Sequence, residues 1–329
     1  MLSAKRKGLT ILPLAAIMIA AWCVLAAWPG EARRAPGQER PSANCAQTSV
    51  GYPPLTDMGP FGTYQGFEGG LYPDRLNVPS AAYLQDGLNR AAQVVPRNGS
   101  GQPDPVNGRI VLLSIGMSNA TQEYSRFKQI ADPDPEKNPR LNIVDGAVGG
   151  QDATIIRNPN AGYWITVTQR LTSAGATAQQ VQAVWLKEAI AGENRPFPSD
   201  AQGLQNAFKD IVSILAGRYP NLQLIYLSSR TYAGYASSTL NPEPYAYQSG
   251  FAVKWLIQSR VRNGTGAWIG WGPYLWTDGT LGRNDGLVWL CSDTQQDGTH
   301  PSATGQQKVA EMLLKFFKTD RTTRGWFLR

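Results

Sequence analysis

The chain has 329 residues, 42% hydrophobic and 17% charged, enough to bury a large core as one or two globular domains with a rather neutral surface. A net charge of +7 suggests a nucleic-acid partner, but Lys5, Arg6, Lys7, Arg33 and Arg34, less Glu31, supply a net four of those charges around one N-terminal apolar segment. The remaining charge, about +3, is dispersed, with no basic helix or basic-aromatic run, so nucleic-acid binding is set aside.

Lys5-Arg6-Lys7 precedes an apolar run from Leu9 to Trp28. This is the charged front and apolar centre of an export signal. At 20 residues, or about 30 Å as a helix, the run is also long enough to span a bilayer. Residues 1–34 are therefore expected to be a cleaved signal or a membrane anchor, with the rest of the chain secreted or held in the cell envelope. Residues 35–60 are rich in Pro, Gly, Ser and charge and predict a linker. Residues 61–108 predict a segment that wraps the main domain, with one short helix near Ser80 to Val94.

Regular structure is expected from Arg109. The run Arg109 to Ile115 is a buried strand, followed at once by Gly116-Met117-Ser118-Asn119 and a helix from Thr121 to Ile130. Three more apolar runs recur at Leu141 to Val144, Val181 to Leu186 and Leu222 to Ser228. Leu204, Phe208, Ile211 and Leu215 repeat at helical spacing, as do Phe251 with Trp255, and Val309, Met312, Leu313 and Phe316. Strands alternating with helices predict residues 109–329 to be an α/β domain: a three-layer α/β/α sandwich around a mainly parallel, flavodoxin-like sheet, with its site at the C-terminal ends of the strands.

The chemistry-bearing residues lie at such positions. Ser118 ends the first core strand and opens a helix, whose N-terminus offers free N–H groups to an oxyanion. Gly149-Gly150 follow the second strand. His300 is the only histidine in the chain, and Asp297 stands three residues before it. In a tight turn that spacing lets the carboxylate orient the imidazole. Taken singly, a serine after glycine, a Gly-Gly pair and an Asp-Gly turn are ordinary. In this order, on these elements, they predict a nucleophile, an oxyanion site and an acid–base pair. One histidine and no Cys/His cluster imply neither a catalytic metal nor a cofactor.

This arrangement resembles the SGNH (GDSL-like) hydrolases. Gly116-x-Ser118-Asn119 matches the first block, Gly149-Gly150 the second and Asp297-x-x-His300 the last, over about Arg109 to Lys318. Gly-Met-Ser-Asn is closest to the sialate O-acetylesterase-like style. The resemblance implies Ser118 as nucleophile, His300 as base, Asp297 as its orienter, and the Ser118 and Gly150 amides as the oxyanion hole. The third block departs from the family: in Trp185-Leu186-Lys187 a lysine stands where an amide side chain is expected, so Lys187 is expected as a third oxyanion donor. The implied activity is hydrolysis of short acyl esters, with lipase or thioesterase action as the alternatives within the fold. From another class, an inactive SGNH fold that binds envelope glycans is the competing reading. The implied ligand is a small-molecule or polysaccharide acyl ester. Asn119, Trp271 and Trp276 are candidate substrate contacts, the two tryptophans against ordinary core roles. Cys45 and Cys291 either pair after export or stay free.

Overall fold

The computed structural model describes residues 42–329 apart from 193–194 and 264–265. The expected export segment, and the anchor at residues 9–28 within it, lie outside the described residues. Among the described residues no helix is long and apolar enough to cross a membrane.

A small antiparallel hairpin, β1 (Thr63–Tyr64) and β2 (Phe67–Glu68), stands apart from the central sheet. That sheet has five parallel strands: β3 (Ile110–Gly116), β4 (Leu141–Asp145), β5 (Val181–Lys187), β6 (Leu224–Leu227) and β7 (Trp268–Trp271), in the order β4-β3-β5-β6-β7. Every residue of β3, β5, β6 and β7 is buried, as expected of strands covered on both faces. The helices are α1 (Ala81–Ala91), α2 (Ser118–Ala131), α3 (Ala153–Ile156), α4 (Gly162–Ser173), α5 (Ser199–Arg218), α6 (Tyr245–Asn263), α7 (Ala303–Thr319) and α8 (Arg324–Phe327).

Helix α2 packs on α7, while α5 packs on α6 and α3. Right-handed crossovers put the first pair on one face of the sheet and the second set on the other. The chain runs from β3 to β4 in one direction, then returns across β3 to β5. The strand order therefore reverses beside β3, the switch point outside whose strand ends open parallel sheets generally place their ligand sites. The α2–α7 contact is aromatic: Phe127 lies 5.4 Å from Phe317, both fully buried. Tyr124 stacks on Trp185 of β5 at 5.5 Å and donates its hydroxyl to the Leu112 carbonyl. Removing one such ring costs about 3–5 kcal/mol.

Residues 42–60 depart from the expected linker. Leu55 and Met58 are buried, and Ser49, Val50 and Gly51 all donate to the Asp278 carboxylate. Gly51 and Gly59 supply the positive φ at exposed positions of this attached segment. Residues 61–94 lie over the α6 and β7 side, and residues 95–108 run by the N-terminal ends of β3 and β5, where Val95 N–H donates to Gln182 and Arg97 pairs with Arg109. Tyr64 and Phe67 pack against Phe197, Phe251 and Trp255. Helix α1 is capped by the Ser80 hydroxyl and holds β7 through Tyr83, which donates to the Ile269 carbonyl.

Candidate active site

The turn from β3 into α2 carries Ser118. Gly116 is required there by close approach: a Cβ would lie 2.4 Å from the Lys187 carbonyl oxygen and 2.5 Å from the Ala120 Cβ. Ser118 is the first residue of α2, where backbone N–H groups have no partner inside the helix. The loop after β4 is tied to this turn, since Val148 donates its N–H to the Gly116 carbonyl at 2.8 Å. Below it, Asp145 accepts from Ser114 Oγ at 2.6 Å, Thr121 Oγ1 at 2.5 Å and Ser125 Oγ at 2.8 Å. One carboxylate thus joins β3, β4 and α2 and fixes the helix that presents the serine.

The loop before α7 carries Asp297 and His300. Its hairpin-like ends are held by the Thr294–Pro301 bridge, and Ser302 caps α7 by accepting the Gly305 N–H. His300 Nε2 lies 2.9 Å from Ser118 Oγ, and His300 Nδ1 lies 2.5 Å from Asp297 Oδ2. These contacts select the tautomer with Nδ1–H donating to Asp297 and Nε2 accepting the serine proton. Asp297 Oδ1 accepts the Thr299 and His300 N–H groups, each at 3.0 Å. Burial pushes the Asp297 carboxyl up. Hydrogen bonds from the His300 ring and from the His300 and Thr299 amides outweigh that and hold it at about 2.

The remaining candidates fall in different places. Gly150 lies in the exposed loop after β4, with open space around its Cα. Asn119 is buried and donates Nδ2 to the Thr299 carbonyl at 2.8 Å. It clasps the serine helix to the acid–base loop and is not free for substrate. Lys187 is corrected as an oxyanion donor: fully buried, its Nζ contacts Glu123 Oε1 and Oε2 at 2.6 and 2.5 Å. Its charge is engaged inside the protein, and burial lowers its pKa to about 8. Trp271 and Trp276 are corrected as sugar contacts. Trp276 is fully buried and donates Nε1 to Glu243, and buried Trp271 donates to the Leu71 carbonyl. Their faces meet Tyr247 and Tyr274 rather than solvent.

Sequence reasoning missed the buried charges behind the site. Glu123 lies on the serine helix at a position that a helical wheel assigns to the core, which was the available signal. Glu188 and Arg230 stand just beyond β5 and β6 and give no local pattern. Cys45 and Cys291 form a disulfide, Cα atoms 5.3 Å apart. Among the described residues no cluster of His, Cys, Asp and Glu is arranged to hold a metal ion.

No protein-family model and no curated protein matches the sequence. Several solved structures do. A family two carbohydrate esterase from Clostridium thermocellum, in complex with cellohexaose, is 14% identical with a TM-score of 0.43, covering 69% of this chain and 67% of its own. The periplasmic domain of a lipopolysaccharide acetyltransferase from Salmonella ser. Paratyphi A is 13% identical, TM-score 0.37, over 71% and 94%. A serine-to-alanine mutant of an acetyl esterase, with acetate ion, is 13% identical, TM-score 0.37, over 62% and 94%. In its parallel sheet, its Gly116-x-Ser118-Asn119, Gly149-Gly150 and Asp297-x-x-His300 blocks and the meeting of Ser118 with His300, this chain resembles the SGNH hydrolases.

Proposed function

We propose that this protein is an exported serine esterase that removes short acyl groups, acetyl first among them, from carbohydrate. One observation carries the reading: the unbroken hydrogen-bond chain from Ser118 Oγ through His300 to Asp297. Ser118 Oγ attacks the ester carbonyl as His300 Nε2 takes its proton. The imidazolium, steadied by Asp297, returns that proton to the departing alcohol and leaves an acyl-serine. Water, activated by the same imidazole, then releases the acid. The Ser118 and Gly150 N–H groups are the proposed oxyanion donors.

The acetyl and carbohydrate preference is supported by the Gly-Met-Ser-Asn style of the first block. Export is supported by the basic and apolar N-terminal residues and by the Cys45–Cys291 bridge, since such bonds persist in oxidising compartments. The test is a series of p-nitrophenyl esters of rising acyl length together with acetylated sugars, with Ser118→Ala as blank. Release of acetate that falls off with chain length is expected. Release only from long acyl chains favours a lipase, and no release from any ester returns the protein to the glycan-binding class.

A further inference from the structure

The segment from Ala43 to Gly51 crosses three loops at the catalytic end of the sheet. Ala43 N–H donates to the Gln296 carbonyl, next to Asp297, at 2.5 Å. Asn44 N–H donates to Tyr235 O at 2.9 Å, and the Tyr232 hydroxyl donates to Gln47 O at 2.7 Å. Thr280 N–H donates to Thr48 O at 2.9 Å. Ser49, Val50 and Gly51 then close on the Asp278 carboxylate at 2.7, 2.7 and 2.9 Å. Cys45 bonds this strap to Cys291, six residues before Asp297.

The loops it joins bear directly on the acid–base pair. Ser237 donates N–H to the Asp297 carbonyl at 3.1 Å. Gly298 lies against Tyr235 so closely that a Cβ would be 1.9 Å from its carbonyl oxygen. The 232–237 loop is therefore a seat for the Asp297–His300 turn, and the strap binds seat and turn together from outside. Its hydrogen bonds to loops 232–235 and 291–296 are mostly backbone to backbone. Only a few such bonds hold the strap to these loops, and the Cys45–Cys291 disulfide adds the one covalent tie among the described residues.

Resting on the esterase reading above, we propose that Cys45, Cys291 and Asp278 are positioning residues for His300, so that acyl chemistry is switched on by oxidation of the Cys45–Cys291 pair. In the reverse step a dithiol reductant supplies two electrons and two protons. The bridge becomes two thiols and the dithiol becomes a disulfide. The strap then loosens, the turn loses its outer tie, and the imidazole leaves its attack geometry while the sheet stays folded. A chain whose bridge has not yet formed would carry an idle triad, which spares acyl esters in a reducing compartment.

The experiment uses the full chain, with alkylation of Cys45 and Cys291 followed by mass spectrometry to score the bridge. Activity of the oxidised parent on p-nitrophenyl acetate is measured first and tests the esterase reading by itself. On reduction, kcat is expected to fall roughly 10- to 100-fold, the scale of a misplaced catalytic group, with KM nearly constant and recovery on reoxidation. Cys45→Ala should show the same low kcat and no response to dithiol. Asp278→Asn, with the bridge intact, should lower kcat in the same way. Hydrogen exchange supplies a readout without activity: amides of residues 295–300 should exchange faster after reduction, while those of α2 and α7 do not. Reduced protein with kcat within about twofold of the oxidised form overturns the proposal. So does a loss of kcat that only tracks loss of helical circular dichroism.

Discussion

Lys187 and Glu123 bury opposite charges against each other, with Nζ within 2.6 Å of both carboxylate oxygens and neither side chain exposed. The pair joins the end of β5 to the serine helix, about one turn and a half beyond Ser118. Removing one member strands the other charge in the interior, which costs about 3–5 kcal/mol, while replacing both with apolar side chains of similar volume is often neutral. Lys187→Met should therefore destabilise strongly in urea unfolding, and Lys187→Met/Glu123→Leu should recover most of the loss. A double variant no more stable than the single one would show that the ion pair is not what Lys187 is for.

In the proposed mechanism Ser118 and His300 act on one proton, so their losses should not add. Ser118→Ala and His300→Ala should each lower kcat by at least about 10³-fold, and the double variant should be little worse. Steady-state kinetics on p-nitrophenyl acetate decides this, and additive losses would argue for separate roles.

Asp297 sets the tautomer of His300. In Asp297→Asn the two backbone N–H groups at Oδ1 retain the amide oxygen, so the NH2 turns towards Nδ1 and drives the ring proton to Nε2. That imidazole cannot take the serine proton. Asp297→Asn should lose about 10⁴-fold in kcat and fall below Asp297→Ala, in which the ring is free to choose its tautomer. The same carboxyl predicts an acid limit. Its folded pKa of about 2 lies below the unfolded value near 3.9, so it stabilises the fold above about pH 4 and loses that contribution between roughly pH 4 and 2. Asp297→Ala should flatten the acid limb of the melting curve in that window.

Glu188 predicts the opposite trend. Fully buried, with Oε1 lacking a partner and Oε2 accepting the Ala189 N–H, it is pushed well above the usual carboxyl range by burial. Glu243 is raised to about 7 by the same cause. An acid whose folded pKa exceeds its unfolded value favours folding less and less as pH rises from about 4.3 to the folded value. Glu188→Gln should therefore melt higher than the parent at about pH 8 and converge with it near pH 5. A lower melting temperature at the higher pH would mean that Glu188 is ionised and paired with Arg230.

The parts of the fold that could be read in sequence were those whose periodicity burial enforces. The runs that became β3, β5 and β6 and the stripe Leu204, Phe208, Ile211 and Leu215 of α5 report continuous burial, and the edge strand β4 was still legible through buried Leu141, Ile143 and Val144. Strand β7 was missed because it has four residues, one of them Gly270, too short a run to show a pattern. Helix α4 was missed because Ile165, Thr166, Val167 and Thr168 form a β-branched run. Its helicity comes from packing Tyr163, Trp164, Val167 and Leu171 rather than from propensity. Ser118, Asp297 and His300 were legible because a rare residue type met a tight spacing. Lys187 was misjudged because its partner stands 64 positions away, on another element.

Ser118 opens α2 and His300 stands three residues before α7, so the 2.9 Å between Oγ and Nε2 is set where those two helices touch. Treated as stiff rods, the two helices bear on each other at Phe127 and Phe317. A change of ring volume there is transmitted along both rods to the far end, where proton transfer is steep in distance. The catalytic rate then works as a calliper on the core: it registers a shift in helix spacing well before a melting curve detects any loss of the fold.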